Sequence, residues 1–463
     1  VSRILLAIFI VLAVAEGAPK PNILFIFADD LGWRDVGYQR EGFFETPRID
    51  ALAMSGKVFS HGYSPGANCQ PTRACLISGQ YTPRHHVYAV GSTSRGPAKQ
   101  MRLVPVPNRS GIPAREWSIA DAMRDAGYAT GLFGKWHLSG PDGCAPREQG
   151  FDVYYDSAMG GRPNESSGET QDDPKGVFSM TRELTGFMEK NTRAGKPFFA
   201  YMSHHAIHTA LAAGHETLEH FQNKAKTAEE RELALYAACA KDLDTAVGMA
   251  LDKLDALGIA ENTLVVFSSD NGATNQSSQE PLRGNKGAYY DGGIRVPFLI
   301  RWPGVTKPGE KTETPVSQVD LFPTFVEAAG AVIPEGKILD GESLKALCGG
   351  GELKRGAVFW HFPGYLDRPV LRGRDNVFRT RPVSVIRKGG WKLFLYHEEW
   401  LLDGGREKIA TNQAVELYHL TTDIGERENL ANKNPEKRDE LLDELLGWFG
   451  KTGAKLASRK SGE

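Results

Sequence analysis

Asn22-Ile23-Leu24-Phe25-Ile26-Phe27-Ala28-Asp29-Asp30 is the stretch on which the fold turns. Its first seven residues run without polar alternation, the pattern of a strand buried on both faces in a parallel sheet. Two carboxylates then follow at the strand's carboxyl end. The same texture recurs along the chain, with strands expected at about Ala129 to Phe133, Pro197 to Met202, Thr263 to Ser268 and Val296 to Arg301. Helical patterns lie between them. Thr46-Pro47 reads as a cap with proline at the first helical position, and Gly56 as the stop. Ser118 and Asp121 form a capping-box pattern ahead of the apolar face Ile119, Ala122, Met123 and Ala126, which ends at Gly127. A long amphipathic helix spans about Glu229 to Leu257, with Leu243, Val247, Leu251 and Leu254 on one side. Strands alternating with helices predict an α/β fold, a large and mostly parallel central sheet flanked by helices.

The texture changes after about residue 345, and Gly349-Gly350-Gly351 reads as a boundary. Val383 to Arg387 and Trp391 to Tyr396, joined by Lys388-Gly389-Gly390, predict a β-hairpin, and Arg438 to Phe449 a closing helix. The expected organisation is a large domain over residues 19–345 and a smaller C-terminal α+β subdomain over 346–463, built on an antiparallel sheet. Lys455 to Glu463 reads as a frayed polar tail.

Composition narrows the function classes. The 463 residues carry a net charge of -2, with no overall pull towards nucleic acid or acidic membranes, so any anion must be held locally. Residues 1–18 read as an export signal: Arg3 as the basic region, Ile4 to Val14 as an apolar run short for a bilayer span, and Ala13-Val14-Ala15 as a cleavage site. An uncleaved anchor is the alternative. The expectation is a periplasmic or extracellular protein with no stable membrane insertion after cleavage. The five cysteines, Cys69, Cys75, Cys144, Cys239 and Cys348, contain no CxxC pair, so neither a zinc ribbon nor a redox motif is visible. Cys239 falls in an apolar helical stretch and reads as core filler.

In open α/β sheets ligands lie beyond the carboxyl ends of the strands. Asp29-Asp30, Lys135-Trp136-His137, His204-His205 and Asp270-Asn271 each directly follow a predicted strand. The oxygen donors Asp29, Asp30, Asp270 and Asn271 suit calcium or magnesium better than zinc, although such pairs also serve as turn residues and caps. In Gly66 to Gly79, GANCQPTRACLISG, Pro71 and Thr72 signal a helix starting just after Cys69, with Arg73 adding a fixed cation. Position 69 is thus either a nucleophile in an electropositive pocket or a buried cysteine beside a turn. Lys135, His137, His208 and Lys286 are the basic residues placed to surround an anion, Lys286 within the flexible loop Arg283-Gly284-Asn285-Lys286-Gly287.

These motifs carry a resemblance. Cys69-Gln70-Pro71-Thr72-Arg73 resembles a formylglycine signature in the form C-x-P-T-R. PNILFIFADDLGW resembles the opening strand and metal aspartates of the same family, and GYATGLFGKWHL, SSDNGA, LRGNKGAYYDGGIRVPFLIRWPG, VSQVDLFPTFVEAAG, LDGESL and ELYHLTTDIGERENLA its later blocks, in order over about residues 20 to 445. The chain resembles a type I, formylglycine-dependent sulfatase, of the arylsulfatase family within the alkaline-phosphatase superfamily. The resemblance implies an alkaline-phosphatase-like fold and a sulfuric ester hydrolase. It implies one calcium ion, with magnesium the alternative, bound by Asp29, Asp30, Asp270 and Asn271 near the modified residue 69. A maturation enzyme would convert Cys69 to formylglycine. Arg73 would orient that residue, Lys135 and Lys286 would hold sulfate oxygens, His137 would act on the formylglycine hydroxyl, and His208 would assist the leaving group. The family often has Pro-His-Thr-Pro at the last site. Here the run is Ala206-Ile207-His208-Thr209-Ala210 after His204-His205, which leaves His205 as a rival.

The leaving group is expected to be read by less regular regions: Gln80 to Arg102 with Arg84, His85 and His86, the polar loop Ser157 to Lys175, and His361 before Phe362-Pro363-Gly364. Their basic and hydroxyl character favours a sulfated carbohydrate. The rival readings are a phosphonate or phosphate monoester hydrolase on the same scaffold, and a non-catalytic relative that binds sulfated glycans.

Overall fold

The computed structural model describes residues 20–40, 42–156 and 173–460. The expected export signal and all but the end of the 157–175 loop lie outside the described residues. The predicted strand forms as Asn22–Ala28, every residue buried. It pairs in parallel with Phe198–Ser203 on one side and Thr263–Ser269 on the other. The eight-stranded sheet runs in the order Glu310–Thr312, Lys57–Phe59, Phe298–Arg301, Thr263–Ser269, Asn22–Ala28, Phe198–Ser203, Ala129–Gly134, Val153–Tyr155. Only Phe298–Arg301 runs against the others.

The unbroken apolar run has a direct cause. Ile23, Phe25 and Phe27 face one layer of helices, Cys69–Ser78, Ile119–Asp125 and Leu321–Ala329. Leu24, Ile26 and Ala28 face the other, dominated by Val177–Arg193 and the long helix Ala228–Ala256. Alternate side chains therefore both need apolar partners, each large one contributing roughly 1.5–3 kcal/mol on burial. The predicted capping box is formed: Ser118 accepts from the amides of Ala120 and Asp121, and Asp121 accepts from the Ser118 amide. The Thr46 cap is not. Its hydroxyl instead accepts from Gly37 N and donates to Asp50 Oδ1, so Pro47–Ser55 starts without a side-chain cap.

The small sheet is antiparallel, in the order Ala357–Phe362, Val383–Lys388, Trp391–Tyr396, Val415–His419, and includes the expected hairpin. The helix Pro435–Thr452 covers one face through Leu441, Leu442, Leu445 and Trp448. The other face packs on Tyr63, Tyr88, Tyr289 and Ile294 through Trp360, Val385, Phe394 and Tyr396. The tail is less frayed than expected, because Ser458–Arg459 pairs with Leu103–Val104. All five cysteines are free and buried, Cys239 in the core of the long helix.

Candidate active site

The sheet brings the polar clusters together through its register. Ala28 lies opposite Ser269, Phe27 opposite Ser203, and Ser203 opposite Gly134. The ladder continues one residue further, with Asp270 N donating to Ala28 O, His204 N to Phe27 O and Lys135 N to Ser203 O. The chains after four adjacent strands thus leave the sheet at one level. Gly134 is required there, since its φ is +104° and a Cβ would lie 1.9 Å from the Ser203 carbonyl oxygen. The Cys69–Ser78 helix points its first turn at the same edge, with Cys69 buried. One ligand atom each from Asp29, Cys69 and Asp270 lie within 4.8 Å of one another, as do those of Asp29, Asp30 and His208.

The charges are close to balanced within this cluster. Lys135 Nζ lies 2.5 Å from Asp29 Oδ2, Lys286 Nζ 2.5 Å from Asp30 Oδ1, and Arg73 Nη2 2.8 Å from Asp270 Oδ2. Burial alone would raise the Asp29 carboxyl, but Lys135, His208, Arg73 and Lys286 hold it well below its usual range. Burial and the neighbouring Asp29 push Asp270 the other way, upward. Lys286 is half-buried, which lowers its pKa, but Asp30 outweighs this and raises it, so its ammonium stays charged. Burial and the Lys135 and Arg73 cations lower His137 to about 3, leaving a neutral imidazole with an unpartnered Nδ1.

Among the described residues, three oxygens of this cluster are buried without a hydrogen-bond partner: Asp29 Oδ1, Asp30 Oδ2 and Asn271 Oδ1. Asn271 donates its amide to Asp30 Oδ1 and Gly272 O, which turns its oxygen into an acceptor without a donor. Orphaned acceptors in a dry site are costly. An all-oxygen set of this kind fits a hard divalent cation, and the residues present therefore fit calcium or magnesium. The backbone is strained at the same place, as Asp30 and His137 sit at φ +67° and +66°, a conformation costing on the order of 1–3 kcal/mol for a residue with a Cβ.

Every residue singled out from the sequence for the site, Asp29, Asp30, Cys69, Arg73, Lys135, His137, His208, Asp270, Asn271 and Lys286, lies at this edge. His205 turns away, its Nε2 3.0 Å from Asp156 Oδ1, whereas His208 joins the two aspartates. Thr209 O can only accept, so His208 Nδ1 donates to it and Nε2 is the free ring nitrogen. Sequence reasoning missed three supports. Ser203 accepts from Arg73 Nη1 and donates to Lys135 O. Gln70 donates to Ser110 O and His137 O, tying the His137 turn to the helix start. Lys175 donates to the carbonyl oxygen of His208. Ser203 and Gln70 adjoin the recognised motifs, while nothing local marks Lys175. Two of the expected substrate readers are otherwise engaged. Arg84 is paired with Asp340, and His85 is buried against Cys75 Sγ. His361 lies inside its strand, bonded to Ser384 and Lys455 O, and does not reach the site.

Comparison with known proteins decides the family. The sulfatase family model matches residues 21–331, and a model described as N-sulphoglucosamine sulphohydrolase, C-terminal, matches 285–447. The chain belongs to the sulfatase family. This sulfatase is 31% identical to a sulfatase of Formosa agariphila, over 94% of this chain and 90% of that protein. It is 30% identical to N-acetylgalactosamine-6-sulfatase of Canis lupus familiaris, over 92% and 85%. Among solved structures it resembles Ps i-CgsB in complex with k-i-k-neocarrahexaose, at 28% identity and TM-score 0.72, covering 93% of this chain and 92% of that one. The sulfatase is a hydrolase of sulfate esters, on a mixed, mostly parallel sheet with a C-terminal antiparallel sheet. Among the described residues no helix is long and apolar enough to cross a membrane.

Proposed function

We propose that the enzyme releases inorganic sulfate from a sulfated carbohydrate, using a formylglycine derived from Cys69 and a calcium ion held by Asp29, Asp30, Asp270, Asn271 and the modified residue 69. The observation that carries this reading is that three buried oxygens, Asp29 Oδ1, Asp30 Oδ2 and Asn271 Oδ1, lack a hydrogen-bond donor among the described residues, while Asp29, Cys69 and Asp270 bring ligand atoms within 4.8 Å of one another. The carbohydrate substrate draws support from the names of similar proteins, an N-acetylgalactosamine-6-sulfatase and an enzyme solved with neocarrahexaose. Export through residues 1–18 and the division at residue 345 belong to the same reading.

Hydrated formylglycine would supply one hydroxyl, its proton passing to a neighbouring base, to attack sulfur, and a second whose deprotonation would expel sulfate and restore the aldehyde, which neither a serine nor a thiol offers. Calcium held by Asp29, Asp30, Asp270 and Asn271 would supply positive charge at the reacting group. The protein's own residues do the rest. Arg73, anchored by Asp270 and Ser203, holds a fixed cation beside residue 69. Lys135 and Lys286 hold the sulfate oxygens as charge shifts onto them in the transition state. The ester S–O bond breaks, and the departing alkoxide takes a proton from the Lys286 ammonium, or from His208 when its Nε2 is protonated as well as Nδ1. Neutral His137, with Nδ1 unpartnered, accepts the proton of the second hydroxyl.

The test is the mass of the Cys69 peptide, from protein co-expressed with a formylglycine-generating enzyme. The expected result is a peptide lighter by the thiol-to-aldehyde change. An intact thiol, with a control sulfatase converted in the same cells, overturns the mechanism.

A further inference from the structure

Beside Lys286 the surface carries positive charge that the reaction at residue 69 does not use. Arg379 lies on the short strand Phe378–Thr380, which pairs with Leu366–Asp367 to form a hairpin between strands of the small sheet. Its Nη1 donates to the carbonyl oxygen of Lys286 at 3.1 Å and its Nε to that of Arg368 at 3.1 Å. Its stem lies flat on Gly287, where an added Cβ would come within 2.1 Å of Arg379 Cδ. The guanidinium is thus fixed one lysine side chain away from the anion site.

Its neighbours do not neutralise it. Among the described residues Arg379 has no ion pair, and both its bonds are to uncharged carbonyls. Arg95 is close by, 2.6 Å from Asp367 Oδ1, and Arg368 lies 3.8 Å from the same carboxylate. Two arginines therefore pair with one aspartate, and Arg379 stands beside them. Burial, then Arg95 and Arg368, lower the pKa of Arg379, while Asp367 and Asp30 oppose them, which places it within electrostatic reach of the site. A half-buried, fixed guanidinium among like charges is costly unless an anion completes it, and guanidinium matches the oxygens of an oxyanion in pairs.

We propose that Arg379, with Arg368 and Arg95 beside it, binds a second sulfate carried on the substrate next to the ester that is cut, making the enzyme selective for densely sulfated sugars. The inference rests on the carbohydrate reading of the same site. The small subdomain would then serve specificity through this hairpin rather than through His361.

The test uses the matured, metal-loaded enzyme and matched pairs of galactose, N-acetylgalactosamine and glucosamine sulfates, each with one sulfate and with a second on the neighbouring position. For the sugar that is cut, kcat/KM should favour the doubly sulfated member at least tenfold, a preference that shrinks with added salt. Arg379→Met, which keeps the stem, should collapse the ratio of the two kcat/KM values to near one. Asp367→Asn, which removes the competing carboxylate, should raise it, an outcome that misfolding cannot mimic. An Arg379→Met loss equal on both substrates would mean that the arginine only positions Lys286, and overturns the proposal. Equal wild-type rates on both members overturn it while leaving the carbohydrate reading intact. Hydrolysis of 4-nitrophenyl sulfate with no sugar sulfate cut overturns the two together.

Discussion

Lys286 and Cys69 stand at opposite poles of legibility. The residues around Cys69 announce a helix starting there, which the structure has as Cys69–Ser78, while its role as nucleophile rests on the family resemblance and remains a proposal. Lys286 sat in a glycine-rich loop where any lysine could be a solvated charge, and only its 2.5 Å approach to Asp30 makes it part of the cluster. Lys286→Ala should lower kcat by about 10²–10³-fold, the scale for losing one preorganised donor at a site of developing charge. Steady-state rates on the preferred sulfated sugar check this, and an unchanged kcat/KM would move the anion site elsewhere. Cys69→Ala should abolish sulfate release while leaving the circular dichroism spectrum and melting temperature near wild type. The sequence preferred His208 only through the Thr209 that follows it and kept His205 as a rival, because three residues of irregular chain decide which ring turns inward.

Elements were legible wherever one local rule dominates. The capping box at Ser118 and Asp121 is written in four consecutive positions, and Ser118→Ala should cost about 1 kcal/mol, read from urea denaturation. The strand preceding Lys135 ends on a glycine whose need is tertiary. Gly134→Ala would press a methyl onto the Ser203 carbonyl, whose own side chain holds Arg73. Loss of several-fold more stability than Ser118→Ala, together with loss of activity, is the expected outcome, and the same denaturation series checks it. The Thr46 cap failed as a reading because the hydroxyl found a better partner in Asp50, four residues ahead. The Ser458–Arg459 pairing was invisible because its partner lies more than three hundred residues away in sequence.

At the scale of the whole molecule, two buried ionic centres join the layers. The first is the site itself. Calcium binding only the folded state should raise the melting temperature, by the equivalent of about 2.7 kcal/mol at a hundredfold excess over Kd. Differential scanning calorimetry with and without a chelator measures it, and no shift would argue against the proposed oxygen cage. The second centre fastens the small sheet to the segment around Asp291. Lys392 Nζ reaches Asp291 Oδ1 at 2.7 Å and Glu426 Oε1 at 2.9 Å, with Arg295 and Arg387 nearby and all three core members fully buried. Burial, with Asp291 adding repulsion against the pull of Lys392, raises Glu426 from an ordinary 4.5 to about 7. A carboxyl whose folded pKa is raised contributes stability that is complete below about 4.5 and is lost as pH rises through about 7. The melting temperature of the wild type minus that of Glu426→Gln should therefore fall between pH 5 and pH 8. A difference that stays flat would mean that Glu426 is ionised throughout.

The sequence by itself determined the sheet, its carboxyl edge and the residues that gather there. Continuous apolar strands must be covered on both faces, and the polar residues that follow them have only one edge to occupy. Tertiary structure alone decided which lone pairs at that edge are left without donors, which histidine faces inward, and which arginine from a distant hairpin stands beside Lys286. Those outcomes depend on distances between segments far apart in the chain, and local pattern carries no information about them.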